Sequence, residues 1–119
     1  MFEVEFYEDR NGNEPIRDFI IDLQAKGKSS KYHRIRSEKI LTYIRALEKY
    51  GTRVGEPYVK HIEGSIWELR PLDDRVFFFY CGENTYVLLH HFLKKTKKTP
   101  RKEIEQAKRN LADFKERKS

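Results

Sequence analysis

Between Lys94 and Lys102 the chain places six bases and no acid: Lys94, Lys95, Lys97, Lys98, Arg101 and Lys102. The run links a strand-like segment ending near Leu93 to a helix-like segment opening at Thr99-Pro100. A helix N-terminus already attracts anions through its free N–H groups, so positive side chains there do not help the helix itself. Phosphate binding explains the run better than a merely soluble surface does. Two arginines can join it. Arg70 ends one strand-like segment and Arg75 begins the next, which sets both near a hairpin tip, with Glu68, Asp73 and Asp74 as alternative ion-pair partners. A guanidinium fork holds a phosphate bidentately and neutralises the extra charge of a pentavalent phosphorane. These properties suit RNA cleavage by in-line attack of a 2′-hydroxyl on the adjacent phosphate. That reaction asks for geometry, charge stabilisation and proton transfer, and for no metal or other cofactor.

Proton transfer has several candidates. His90 and His91 are consecutive in a strand-like segment and must point to opposite faces. One is expected to pack beneath helices, and His91 is the candidate to face a cleft, where an imidazole of pKa about 6.5 suits acid–base work. Lys60 and His61, just before the central hairpins, are further candidates for contact with the nucleic acid. Tyr80 can stack on a base or fill the core; stacking contributes about 1–3 kcal/mol per base where it occurs. Trp67 reads as core, and Cys81, closing an apolar strand, as an inert buried thiol.

Composition narrows the field. The 119 residues fit one domain, spanning residues 1–119, and the fifteen Phe and Tyr with Trp67 supply a core despite 37% charged residues. No apolar run approaches the ~18–20 residues of a membrane span, which sets the expectation of a cytoplasmic protein without a membrane partner. One cysteine excludes an internal disulfide, a multi-Cys zinc site and an iron–sulfur cluster. There is no Gly-rich phosphate loop, GxSxG elbow or HExxH motif, which argues against P-loop nucleotide hydrolysis and metalloproteolysis. The net charge of +6 is unevenly spread: −5 over residues 1–24, +7 over 25–60, −3 over 61–92 and +7 over 93–119. Basic segments separated by acidic ones can gather into a phosphate-attracting face.

The elements that must position these residues follow from periodicity. Phe2-Glu3-Val4-Glu5-Phe6 alternates like a strand with one buried face. Asn13 is a plausible N-cap for a helix over residues 14–26, with Ile16, Phe19, Ile20 and Leu23 on one stripe. Ser29 or Ser30 can cap a second, longer helix whose stripe is Ile40, Tyr43, Ile44 and Leu47, ending at Gly51. The short connection makes the two an antiparallel hairpin. Residues 52–64 read as a loop with room for a short strand near Tyr58–Ile62. Residues 65–70, 75–81 and 85–93 read as strands. Val76 to Tyr80 is apolar on both faces, as suits a central strand covered by helices on one side. Pro100 reads as the first residue of a final helix over roughly 100–115, with Ile104, Ala107, Leu111 and Phe114 on its stripe. The order is β-α-α-β-β-β-α, an α+β fold.

Three successions in this order carry a resemblance: Ile66-Trp67-Glu68-Leu69-Arg70; Arg75-Val76-Phe77-Phe78-Phe79-Tyr80; and His90-His91-Phe92-Leu93-Lys94-Lys95-Thr96-Lys97-Lys98-Thr99-Pro100, followed by Glu103-Ile104-Glu105-Gln106-Ala107-Lys108. Over nearly its whole length the chain resembles the phage-derived Gp49-like branch of the HigB toxins, within the RelE/ParE superfamily. The resemblance implies a RelE-like fold, with a twisted antiparallel or mixed sheet, an N-terminal helical hairpin and a C-terminal helix. It further implies a type II toxin that cleaves mRNA, generally in the ribosomal A site and without a metal, paired with a HigA-like helix-turn-helix antitoxin in a heterotetramer or higher assembly. By motif position Arg70 and Arg75 match the basic residues on the central strands of RelE-like nucleases, and Lys94 or Lys95 matches the basic residue after the last strand. Glu68 stands where some RelE members carry a second lysine. The expected site is therefore Arg70, Arg75 and Lys94 on the scissile phosphate, His91 or Tyr80 assisting, and Lys95, Lys97, Lys98, Arg101, Lys60 and His61 along the RNA. The alternative is a ParE-like inhibitor of DNA gyrase without nuclease chemistry; a third reading is a non-catalytic RNA-binding or phage accessory module.

Overall fold

The alternating segment at the start of the chain becomes strand β1 (Glu3–Phe6) in the computed structural model, which describes residues 1–118. Helices α1 (Pro15–Lys26) and α2 (Lys31–Tyr50) follow, then a 3-10 turn at Gly51–Val54. The strands β2 (Val59–Glu63), β3 (Ile66–Leu69), β4 (Asp74–Gly82) and β5 (Thr85–Leu93) form an antiparallel meander, and α3 (Arg101–Lys118) closes the order. The sheet runs β1-β5-β4-β3-β2, with β1 added parallel to β5. This mixed α+β arrangement is consistent with a RelE-like fold.

Three local expectations need correction. The chain has five strands, one more than the β-α-α-β-β-β-α order, because the short segment near Tyr58–Ile62 is a full edge strand. Its own sequence is polar, but Val59 pairs with Leu69, Lys60 with Glu68 and His61 with Trp67, so its partner strand supplies the order. Glu14, not Asn13, occupies the cap position of α1; the Asn13 amide instead donates to Asp9 Oδ1 at 2.9 Å. Pro100 precedes the first helical residue of α3, and that helix runs three residues beyond 115. Ser30 does cap α2, accepting from the His33 amide.

Helices cover both faces of the sheet, where one covered face was expected. On one face Ile16, Ile20, Leu23, Ile40, Ile44 and Leu47 of the hairpin pack on Val59, Leu69, Val76, Phe78, Tyr86 and Leu88. On the other, Ile104 and Ala107 of α3 pack on Ile66, Phe77 and Phe92, while Leu111 and Phe114 reach Phe79, Val87 and Leu89. Phe77 and Phe78 are both fully buried, one on each face, and each contributes about 1.5–3 kcal/mol by leaving water. Gly51 allows the return from α2: its φ is +63°, and a Cβ there would lie 2.8 Å from Phe2 and from the Tyr86 hydroxyl. That hydroxyl accepts from the Thr52 amide at 3.2 Å.

Candidate active site

Strand alternation decides which side chains share a face. Ile66 and Phe77 pack on α3, so Glu68 and Arg75, two residues away on their strands, face the same side. Lys60 joins them as the cross-strand partner of Glu68. Arg70 is the first residue past β3, fixed there by its amide donating to the Tyr58 carbonyl at 3.0 Å. Lys94 is the first residue past β5, its amide donating to the Asp73 carbonyl at 2.8 Å. Four cations from four neighbouring segments thus meet around one acid. Among the described residues no α3 side chain pairs with Glu68, Arg70 or Arg75.

Glu68 is 1% exposed. Its Oε1 lies 3.4 Å from Arg70 Nε and 4.0 Å from Arg75 Nε. Arg75 is itself buried and donates from Nη1 to the carbonyls of Leu72 at 2.7 Å and Asp74 at 2.9 Å, while Arg70 reaches Glu56 at 3.4 Å on its outer side. Leu72 has φ +57°, so a strained turn presents the carbonyl that holds Arg75. Even so, Glu68 Oε2, Arg70 Nε and Arg75 Nε are buried without a hydrogen-bond partner. Burial pushes the Glu68 carboxyl above its ordinary range; the charges of Arg75, Arg70, Lys94 and Lys60 pull it back only in part. Burial likewise lowers Arg75, opposed first by Glu68.

The remaining predicted residues separate into two groups. Lys95, Lys97 and Lys98 are exposed on the loop after Lys94, which Thr96 braces by donating to the Lys98 carbonyl at 2.6 Å. Arg101 is withdrawn from that group: it is paired with Glu63 at 2.5 Å and Glu105 at 2.7 Å, and both carboxylates hold its pKa above the usual value. Glu63, between Arg101 and Lys108, is held down to about 2. Arg101 thereby ties α3 to β2.

His91, Tyr80 and His61 lie on the opposite face of the sheet from the cluster. His91 stacks on Phe19, with ring centroids 3.7 Å apart, and donates from Nε2 to Asp74 at 2.9 Å. His90 does face α3, but its Nε2 donates to Glu103 at 2.8 Å. Tyr80 sits near the far end of β4, about 16 Å from Arg75 along the strand; its hydroxyl accepts from the Asn84 amide and its ring meets Phe2 and Tyr86. His61 donates to the Gly64 carbonyl at 2.7 Å and meets the edge of Trp67. Cys81 is exposed, contrary to expectation; partial desolvation and Glu5 push its thiol up.

Sequence reasoning missed two features. One is the role of Glu68 as the centre of the cluster, whose signal was an acid at an inward position of an otherwise apolar strand. The other is the group behind it in which Arg36 and His91, both half-buried, meet the buried Asp74. Arg36 donates to Asp74 from Nη2 at 2.7 Å and Nε at 3.0 Å, and lies over the rings of Phe19 and Tyr32. Burial opposes ionisation of Asp74, but hydrogen bonds from His91 and Arg36 outweigh it and hold the carboxyl low.

No curated protein matches the chain. The model of the phage-derived Gp49-like proteins matches residues 30–112, which include α2, all four strands of the meander and Lys60, Glu68, Arg70, Arg75 and Lys94. With more than half of its length and the whole cationic cluster inside that match, the chain belongs to the phage-derived Gp49-like family, a RelE/HigB-like toxin family.

Proposed function

We propose that this protein is the toxin of a type II toxin–antitoxin pair and acts as an mRNA endoribonuclease, in the manner of the HigB toxins. The observation that carries the reading is the convergence of Lys60, Arg70, Arg75 and Lys94 on one face of the sheet, with two buried guanidinium Nε atoms that face Glu68 as ion pairs but make no hydrogen bond. Such donors on fixed guanidinium groups are suited to a ligand bearing several anionic oxygens, and a phosphodiester is one. In the reaction, Arg70 and Arg75 hold the non-bridging oxygens as charge accumulates on them, and Lys94 lies toward the leaving oxygen. Lys95, Lys97 and Lys98 continue the positive track along the strand of RNA. Because Arg75 is held by two backbone carbonyls, little reorganisation accompanies the reaction, which is the condition for large electrostatic stabilisation.

The substrate is mRNA in the ribosomal A site, and the neutralising partner is a HigA-like helix-turn-helix antitoxin. The whole chain acts as one domain in the cytoplasm; no described helix is long and apolar enough to cross a membrane. Brief induction followed by primer extension on cellular mRNA tests the reading. Discrete cuts within translated regions are expected for the wild type and none for Arg75→Ala. Intact mRNA with double-strand DNA breaks would reject the nuclease and favour a gyrase inhibitor.

A further inference from the structure

Cleavage of RNA through its own 2′-hydroxyl requires an acceptor for that hydroxyl's proton. We propose that Glu68 is this acceptor, through Oε2, a role that rests on the nuclease reading of the cationic cluster. Three observations carry the assignment. Glu68 is the acid on which the four cations converge, and it stands on the same sheet face as Arg75. Its Oε2 has no hydrogen-bond partner although it is buried. The carboxylates with structural duties in this chain look different: Asp74 receives three hydrogen bonds from Arg36 and His91, and Glu63 is clasped by Arg101 and Lys108. A buried carboxylate oxygen without a donor is costly to folding, so its retention calls for a task.

The surroundings fit a base. The charged groups facing Glu68 are Lys60 from β2, Arg70 after β3, Arg75 from β4 and Lys94 after β5, with Glu56 on the outer side of Arg70. Burial makes the carboxylate more basic, and the neighbouring cations favour its ionised, proton-accepting form. In the step, Oε2 takes the 2′-hydroxyl proton and the O2′ electron pair forms the new bond to phosphorus. The bond to O5′ breaks, and O5′ leaves with a proton from the Lys94 ammonium. The products are a 2′,3′-cyclic phosphate and a 5′-hydroxyl; Glu68 releases its proton to solvent and Lys94 regains one.

The test uses the full chain with mRNA-programmed ribosomes, comparing wild type, Glu68→Gln and Glu68→Asp in single-turnover cleavage from about pH 5 to 8. A 2′-O-methyl mRNA, which lacks the proton and cannot be cut, measures binding alone. Glu68→Gln should lower cleavage by about 10²–10⁴-fold and lose the rise of rate with pH, as expected when a general base is removed. It should bind the 2′-O-methyl mRNA at least as tightly as wild type, because a negative charge has left the site. Glu68→Asp should keep the pH rise at a lower rate. Glu68→Gln that cleaves within tenfold of wild type, or keeps the pH rise, overturns the assignment. Parallel loss of binding and cleavage also overturns it, in favour of a structural role. Wild-type protein that binds ribosomes but cuts no mRNA removes the nuclease reading itself, and this step with it.

Discussion

Arg36 holds Asp74 bidentately through Nη2 and Nε, at 2.7 and 3.0 Å, and so ties the second turn of α2 to the first residue of β4. The next residue in the chain is Arg75, which faces the other side of the sheet. The pair therefore fixes, from behind, the strand end from which Arg75 projects. Asp74 is 1% exposed and the Arg36 side chain 12% exposed, so neither charge is well solvated if the other is removed.

Arg36→Ala is accordingly expected to destabilise the fold by about 3–5 kcal/mol, the usual cost of leaving one member of a buried pair behind. Urea unfolding at neutral pH measures it. A loss below about 1 kcal/mol would mean that water reaches Asp74 easily and that the pair does not anchor β4.

The two buried acids give stability opposite dependences on pH. Asp74 titrates near about 3.9 in an unfolded chain and lower in the fold. It therefore contributes stability that is present above that unfolded value and is lost as pH falls through the folded value. Glu63, held at about 2, adds to the same acid limb. Glu68 has the other sign: its folded pKa is raised, so its contribution is present below the unfolded value of about 4.3 and is lost as pH rises through the folded one. Urea midpoints against pH should show Asp74→Asn flattening the acid limb and Glu68→Gln removing the decline on the other side. An unchanged profile in both variants would contradict these environments.

The placement of the aromatic and imidazole groups gives a third expectation. Tyr80→Phe removes only the acceptor for the exposed Asn84 amide, so cleavage should stay at the wild-type rate. His91→Gln should lower the melting temperature by breaking the stack on Phe19 and the bond to Asp74, yet cleave within a few-fold of wild type where folded. A hundredfold loss of cleavage in a folded His91→Gln protein would place the reacting phosphate on the hairpin side of the sheet.

The parts of this molecule legible in its sequence are those set by local periodicity. The stripes Ile16–Leu23 and Ile40–Leu47 and the apolar run Val76–Phe79 mark the helical hairpin and the central strand, because 3.6 and 2 are readable without a partner. Strand β2 is only half legible, since Val59-Lys60-His61-Ile62-Glu63 owes its order to β3 across the sheet. The cationic cluster is visible as a set of residue types, and Lys60, Arg70, Arg75 and Lys94 do come together. Arg101 does not, because its partner Glu63 lies 38 residues away. The same reason hides Arg36 and Asp74, also 38 residues apart: nothing local in either segment announces the other. That His90 and His91 face opposite sides follows from the pleat alone, but not that each is already engaged by an acid.

Arg75 and the loop lysines should separate by kind of effect. Arg75 is buried, oriented by Leu72 and Asp74, and placed to meet charge that develops only during reaction. Removing one such preorganised donor typically costs about 10²–10³-fold in rate, so Arg75→Ala should lose that much cleavage while binding 2′-O-methyl mRNA almost as well as wild type. Lys97 and Lys98 are exposed and carry no ion pair among the described residues, so their charge is available to phosphates at any point along a strand. Each released counterion contributes about 0.7 to the slope of log affinity against log salt on single-stranded nucleic acid. Lys97→Ala and Lys98→Ala should each weaken association, flatten that slope by about this amount and leave the rate from the bound state unchanged. Binding titrations of a short single-stranded RNA from about 50 to 300 mM salt, with single-turnover cleavage beside them, read both quantities. Arg75→Ala that flattens the slope and spares the rate would make it one more backbone-tracking charge, and the transition-state role would pass to Arg70 or Lys94.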